Sequence, residues 1–275
     1  MNPFARTVHA AGTAQRSPRG RSDAVFVGVC VLCFAGSAAA TIAGSASMSA
    51  MGELPMPGGW TMSMVWTPMC GHTWAGMAAS FVGMWAVMMV AMMLPSLMPM
   101  LWRYREAVGG TRLGALTGLV GAGYFGVWIA FGIAAFALGI TLAALVMRFP
   151  ALARVVPVAL GVVVLLAGAL QFTAWKARQL ECCRATPGHC RRLPADVYAA
   201  WRHGMYLGLH CCYCCAGLTM VLLVVGVMDL RAMAVVMTAI TWERLAPGGK
   251  RVAHLIGAVL VGAGMFLVAR GVAAE

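Results

Sequence analysis

The chain has 275 residues, is 61% hydrophobic with a mean hydropathy of +0.84, and carries charge on only 10% of its positions. That composition excludes a soluble globular domain and places the chain with polytopic membrane proteins. A net charge of +12 invites a nucleic-acid reading, but the basic residues gather at the ends of apolar runs, where they mark membrane topology and not nucleic acid as a partner.

Residues 1–22 are rich in Arg, Ser, Gly and Pro and read as a disordered basic tail, attracted at most to anionic headgroups. Residues 23–275 read as a single transmembrane helical domain. A span needs about 20 mostly apolar residues, and the first candidate runs from Asp23 to Gly44. Its Arg-rich start and the small residues from Ser37 to Ser47 also suit a signal peptide, although its length favours a retained helix. Cys30 and Cys33 have metal-like spacing, but no His or third Cys stands near them, and they read as packing residues.

The loop 45–73 contains no Lys or Arg and opens a methionine-rich region: 14 of the 22 methionines lie between Met48 and Met100. In the loop, Met48, Met51, Met56, Met62, Met64 and Met69 alternate with Trp60, Trp66 and small residues, and Cys70 and His72 stand at the membrane entrance. Thioethers are neutral and soft, so they favour Cu(I) over harder ions without releasing a proton. The second span, Trp74 to Leu101, carries Met77, Met84, Met88 and Met92 along one side. A methionine stripe is also an ordinary packing device. Pro95 and Pro99 are expected to break or kink the inner end of this helix beside Met92 and Met93, forming one wall of a site.

Further spans are expected at Leu113 to Met147, Ala151 to Trp175, Gly204 to Val227, Asp229 to Leu245 (short) and Val252 to Ala269. The fold class is therefore all-α, a polytopic transmembrane bundle of about six to seven spans. Gly114, Gly118, Ala122 and Gly126 in the third span, and Gly257, Gly262 and Gly264 near the end, read as points of close helix approach. With the N-terminus inside, 16 of the 20 Lys and Arg fall on inner segments, which implies a bacterial inner-membrane protein with a cytoplasmic N-terminus and an outer C-terminus.

The inner segment 176–203 carries Cys182, Cys183, His189, Cys190 and His203. Two turns beyond His203 comes His210-Cys211-Cys212-Tyr213-Cys214-Cys215, four thiols and an imidazole within six residues. On a helix, Cys211 shares a face with Cys214 and Cys215, and His210 with Cys214. Thiolate and imidazole favour Cu(I), Zn(II) or an iron–sulfur centre over Mg or Ca, and a reducing compartment argues against structural disulfides there. Gln171, Asp229 and Glu243 fall near span ends and read as interfacial anchors, with Glu243-Arg244 as a helix terminus at the inner surface.

Over residues 75 to 265 a set of positions recurs together: Trp85 with Ala91-Met92-Met93-Leu94-Pro95 and Pro99; Gly123-Tyr124 with Trp128; Ala167-Gly168, Gln171, Thr173 and Lys176; Cys183-Arg184; Cys211 with Cys214-Cys215; Gly226-Val227-Met228 with Leu230; Met233; and Glu243 with Pro247-Gly248. In this set the chain resembles the bacterial predicted metal-binding integral membrane proteins, domain of unknown function 2182. It departs from that pattern at Tyr213 and Ala216 beside the paired cysteines, at Asp229, and at Gln179, where Cys182 stands nearby. The resemblance implies a membrane fold and which positions matter, and no reaction.

The leading expectation is a membrane protein that handles a soft metal, Cu(I) first and Zn(II) second. Its partners would be lipid, the ion and a metal-donating or metal-accepting protein. A thiol oxidoreductase or metal-dependent oxidase subunit is the second reading, and a structural assembly subunit, packing through its glycines into a homo-oligomer, the third. Nothing resembles a nucleotide motif, a Ser-His-Asp arrangement or a zinc hydrolase helix.

Overall fold

The computed structural model describes residues 18–49, 53–56, 60–63, 73–108, 112–184, 196–227 and 229–273. Its helices are α1 (Pro18–Ser49), α2 (Trp74–Val108), α3 (Leu113–Arg148), α4 (Pro150–Leu170), α5 (Ala174–Arg184), α6 (Val197–Val225), α7 (Leu230–Leu245) and α8 (Gly249–Ala273). Six of them, all but α5 and α7, are long and apolar enough to cross a membrane. The result is an all-α bundle, as the composition requires. A small antiparallel hairpin, β1 (Glu53–Met56) and β2 (Trp60–Ser63), stands inside the loop that the sequence left without structure. The Trp60 indole donates 2.9 Å to the Ala153 carbonyl and ties the hairpin to the start of α4.

Several boundaries differ from those expected. Helix α1 begins at Pro18, inside the segment read as tail. The run Ala151 to Trp175 is two helices, because the backbone turns at Gln171–Thr173 and restarts as α5. Helix α2 is not broken at Pro95 or Pro99 but continues through both.

Glycines bring the helices together, and the sequence pattern found some of them: Gly257 and Gly264 of α8 press against Gly168 and Leu165 of α4, but others it named do not touch a neighbour. A Cβ at Gly114, Gly118 or Gly262 would meet nothing, whereas one at Gly204 would strike the Val120 carbonyl. Gly123 lies 2.7 Å from the Trp201 carbonyl and Gly208 lies 2.9 Å from that of Tyr124, both measured from the missing Cβ position. These contacts advance together along both chains, so α3 and α6 run parallel with backbones almost touching. Gly132 makes room for the Trp85 ring, whose indole donates 2.9 Å to the Trp128 carbonyl. On the other side, α4 and α8 pack antiparallel, with Gly168 against Val261 and Gly271 against Val158.

Ion pairs align the ends. Arg105 of α2 binds Asp23 of α1 at 2.9 Å and lies over the Phe26 ring. Lys250 of α8 pairs with Glu181 of α5, and Lys176 of α5 with Glu243 of α7. Helix α7 therefore returns the chain to the α5 end of the bundle, and antiparallel α8 carries the C-terminus back toward the hairpin end.

Gly204→Ala should lower stability by about 1–3 kcal/mol, because backbone carbonyl cannot move aside. Gly118→Ala should be neutral or gain up to about 1 kcal/mol of helix propensity. Thermal unfolding in detergent compares the two, and equal effects would contradict the packing described.

Candidate metal centre

The i, i+3 and i+4 spacing sets Cys211, Cys214 and Cys215 on one face of α6, and all three are buried, at 2% exposure or less. Helix α5 supplies a fourth buried sulfur, Cys183, whose Sγ is 3.6 Å from the His210 carbonyl and which hydrogen-bonds Cys214. The Sγ atoms of Cys211 and Cys215 are 3.8 Å apart, and Cys214 hydrogen-bonds Cys215. The contact with Cys214, together with burial, holds the Cys183 thiol well above its ordinary range. Among the described residues no group of three or more His, Cys, Asp or Glu side chains is set around a common metal position. The four sulfurs follow one another as a chain of neighbours, Cys183 to Cys214 to Cys215 to Cys211.

Two further helices aim polar groups at Cys211. The Tyr124 hydroxyl donates to its Sγ at 2.9 Å, from the part of α3 that Gly208 admits to close contact. Arg244 of α7 donates Nη1 to the same sulfur at 3.0 Å and to Ser96 Oγ at 3.0 Å, and Nη2 to Met100 Sδ at 3.0 Å. Sulfur is a weak acceptor. Donors this close, one of them permanently charged, stabilise negative charge on it.

Below this cluster Lys176 donates Nζ to Glu243 Oε2 at 2.7 Å and to the Cys214 carbonyl at 2.6 Å, with both charged side chains 3% exposed or less. Burial lowers the Lys176 pKa, but the Cys214 sulfur and the Glu243 carboxylate more than offset it and leave the ammonium above its ordinary range. Gln171, buried at the end of α4, lies against Glu243. Glu243 and Arg244 are thus interior residues, not a terminus at the surface. Of the three residues expected as anchors, Gln171 and Glu243 are buried, whereas the exposed Asp229 caps α7, accepting from Arg231 N at 2.7 Å and Ala232 N at 3.2 Å.

The remaining candidates lie elsewhere. His210 turns Nδ1 to Gln179 Oε1 at 3.1 Å and its ring to Tyr206. His203 stacks on Tyr104, Cys212 is half-buried, and Cys182 is exposed. Met88, Met92 and Met93 are buried in the α2 core, and Pro95 precedes Ser96. The Met62 side chain and Met64, Met69, Cys70, His72, His189 and Cys190 fall outside the described residues.

Sequence reasoning did not assign Tyr124, Ser96, Met100, Lys176 or Arg244 to the site. Lys176 and Arg244 were counted as positive-inside markers, which hid them. The available signal was an ionisable pair, Glu243-Arg244, ending an apolar stretch.

Removing one partner of a buried ion pair strands the other. Lys176→Met or Glu243→Gln alone should cost about 3–5 kcal/mol, and the double variant Lys176→Met with Glu243→Leu much less than the sum. Thermal unfolding in detergent measures all three; strictly additive losses would mean the pair is not coupled.

Neither a comparison with curated proteins nor one with solved structures gives a match. A family model described as PpoB2, copper chaperone, matches residues 82–267. The match takes in the four sulfurs, Tyr124, Lys176, Glu243 and Arg244, and nearly the whole stretch over which the sequence resembles predicted metal-binding membrane proteins. Covering more than half of the 275 residues, it establishes that the chain belongs to this copper chaperone family.

Proposed function

We propose that the chain holds Cu(I) within the membrane and exchanges it with a partner protein, binding the ion between two sulfurs at a time, drawn from Cys211, Cys214 and Cys215 as main ligands with Cys183 as a fourth. The observation that carries this reading is the burial of four neighbouring sulfurs from α5 and α6 beside a guanidinium. The family's copper chaperone description supports it independently. Thiolates favour Cu(I), with Zn(II) as the competing ion. Taking a metal–sulfur bond of about 2.3 Å, two sulfurs on one ion lie up to about 4.6 Å apart. The 3.8 Å between Cys211 and Cys215 falls inside that span.

Thioethers would feed this site. Helix α2 runs from the methionine-rich hairpin end toward the cysteines, with Met88, Met92 and Met93 buried along it and Met100 already within hydrogen-bond reach of Arg244. A gradient from neutral thioether to charged thiolate gives direction by affinity, and an acceptor protein is then needed for release. His210, Cys212, Cys182 and His203, at the edge of the cluster or beyond it, would serve transfer and not storage. The charge distribution supports a bacterial inner-membrane location with the N-terminus and α5 on the cytoplasmic side, where an acceptor would meet the cysteines.

Protein purified from copper-containing medium should carry copper. A Cys211→Ser, Cys214→Ser, Cys215→Ser triple variant should lose most of it while remaining folded. Elemental analysis decides: equal copper in wild type and triple variant would overturn the proposal.

A further inference from the structure

We propose that Arg244 fixes the charge of the ion this site accepts, making it selective for a soft monovalent cation over a soft divalent one. The inference rests on the copper reading above and extends it to a residue with no ligand atom of its own.

In an apolar interior each charge has to be balanced by a neighbour. Arg244 is 5% exposed and remains protonated at any accessible pH. Among the described residues its side-chain partners are Cys211, Ser96 and Met100, and no carboxylate pairs with it. Glu243, its neighbour in sequence, is matched by Lys176 at 2.7 Å, so that pair adds no net charge. An unmatched buried cation is costly, and its counter-charge must come from sulfur. Ligating thiols are deprotonated by the metal they hold. Two thiolates with Arg244 leave one net negative charge, which a monovalent ion cancels and a divalent ion overshoots. A divalent ion would reach neutrality only with a third thiolate on the same point, and among the described residues no three of these side chains surround a common metal position.

Ag(I) and Cd(II) are soft, isoelectronic probes that differ in charge, so competition between them on the detergent-purified full chain isolates this effect. Arg244→Gln keeps hydrogen-bond donors and removes the charge, and should raise the Cd(II)-to-Ag(I) affinity ratio by about tenfold or more, since one charge at contact distance acts strongly even in a moderately screened site. Arg244→Lys should leave the ratio near that of wild type. Ser96→Asp shifts the same charge count without removing Arg244, and should raise the ratio as Arg244→Gln does. If Arg244→Gln fails to accumulate, the Ser96→Asp result decides.

An unchanged ratio in Arg244→Gln and Ser96→Asp, with Ag(I) still bound through the cysteines in wild type, would overturn this inference and leave the copper reading standing. Wild-type protein whose Ag(I) binding is the same as that of the triple Cys→Ser variant would overturn both.

Discussion

Three cations are buried in an apolar bundle; Arg105 is held by Asp23 of α1, and the arrangement around the other two depends on how each is neutralised. Lys176 meets a carboxylate. Arg244 meets a thiol, a phenol-bound sulfur already hydrogen-bonded from the other side by Tyr124. Burying charge without a partner is among the largest penalties a membrane protein can incur. The helices that supply the partners, α2, α3, α5, α6 and α7, therefore have to converge on one place, and the cysteines lie at that place.

Convergence is made possible by missing side chains. Gly204 and Gly208 let α6 press against α3 until backbone meets backbone, which brings Tyr124 within reach of Cys211. The α4–α8 pair, locked by Gly161, Gly168, Gly257, Gly264 and Gly271, forms a second rigid unit, and α5 leads from its end across to the cysteines. Short α7 then inserts Glu243 and Arg244 from the opposite direction. A soft site built on helices rather than loops holds its ligands in fixed register. Exchange with a partner protein would fall to the more exposed thiol and imidazole groups around it.

Much of this was legible in the sequence, and the parts that were not share a cause. Hydropathy and length gave the helical bundle, since a membrane span has a compositional signature of its own. The cysteine spacing gave the shared face of Cys211, Cys214 and Cys215, because the helical period is local. Contacts between helices carry no such signature. Gly118 and Gly204 look alike in sequence, yet only one touches another backbone, and Arg244 reads as a topology marker until α7 is seen to carry it inward. His210 shares a helical face with Cys214, yet it turns to Gln179 of α5, a contact between helices that spacing along one helix does not encode.

The central claim is that copper sits among the buried sulfurs of α5 and α6. X-ray absorption on the copper-loaded, detergent-purified chain tests it most directly, since it reports both oxidation state and ligand type. The account predicts Cu(I) surrounded by sulfur alone. Copper in the divalent state, or bound mainly through nitrogen or oxygen, would contradict it.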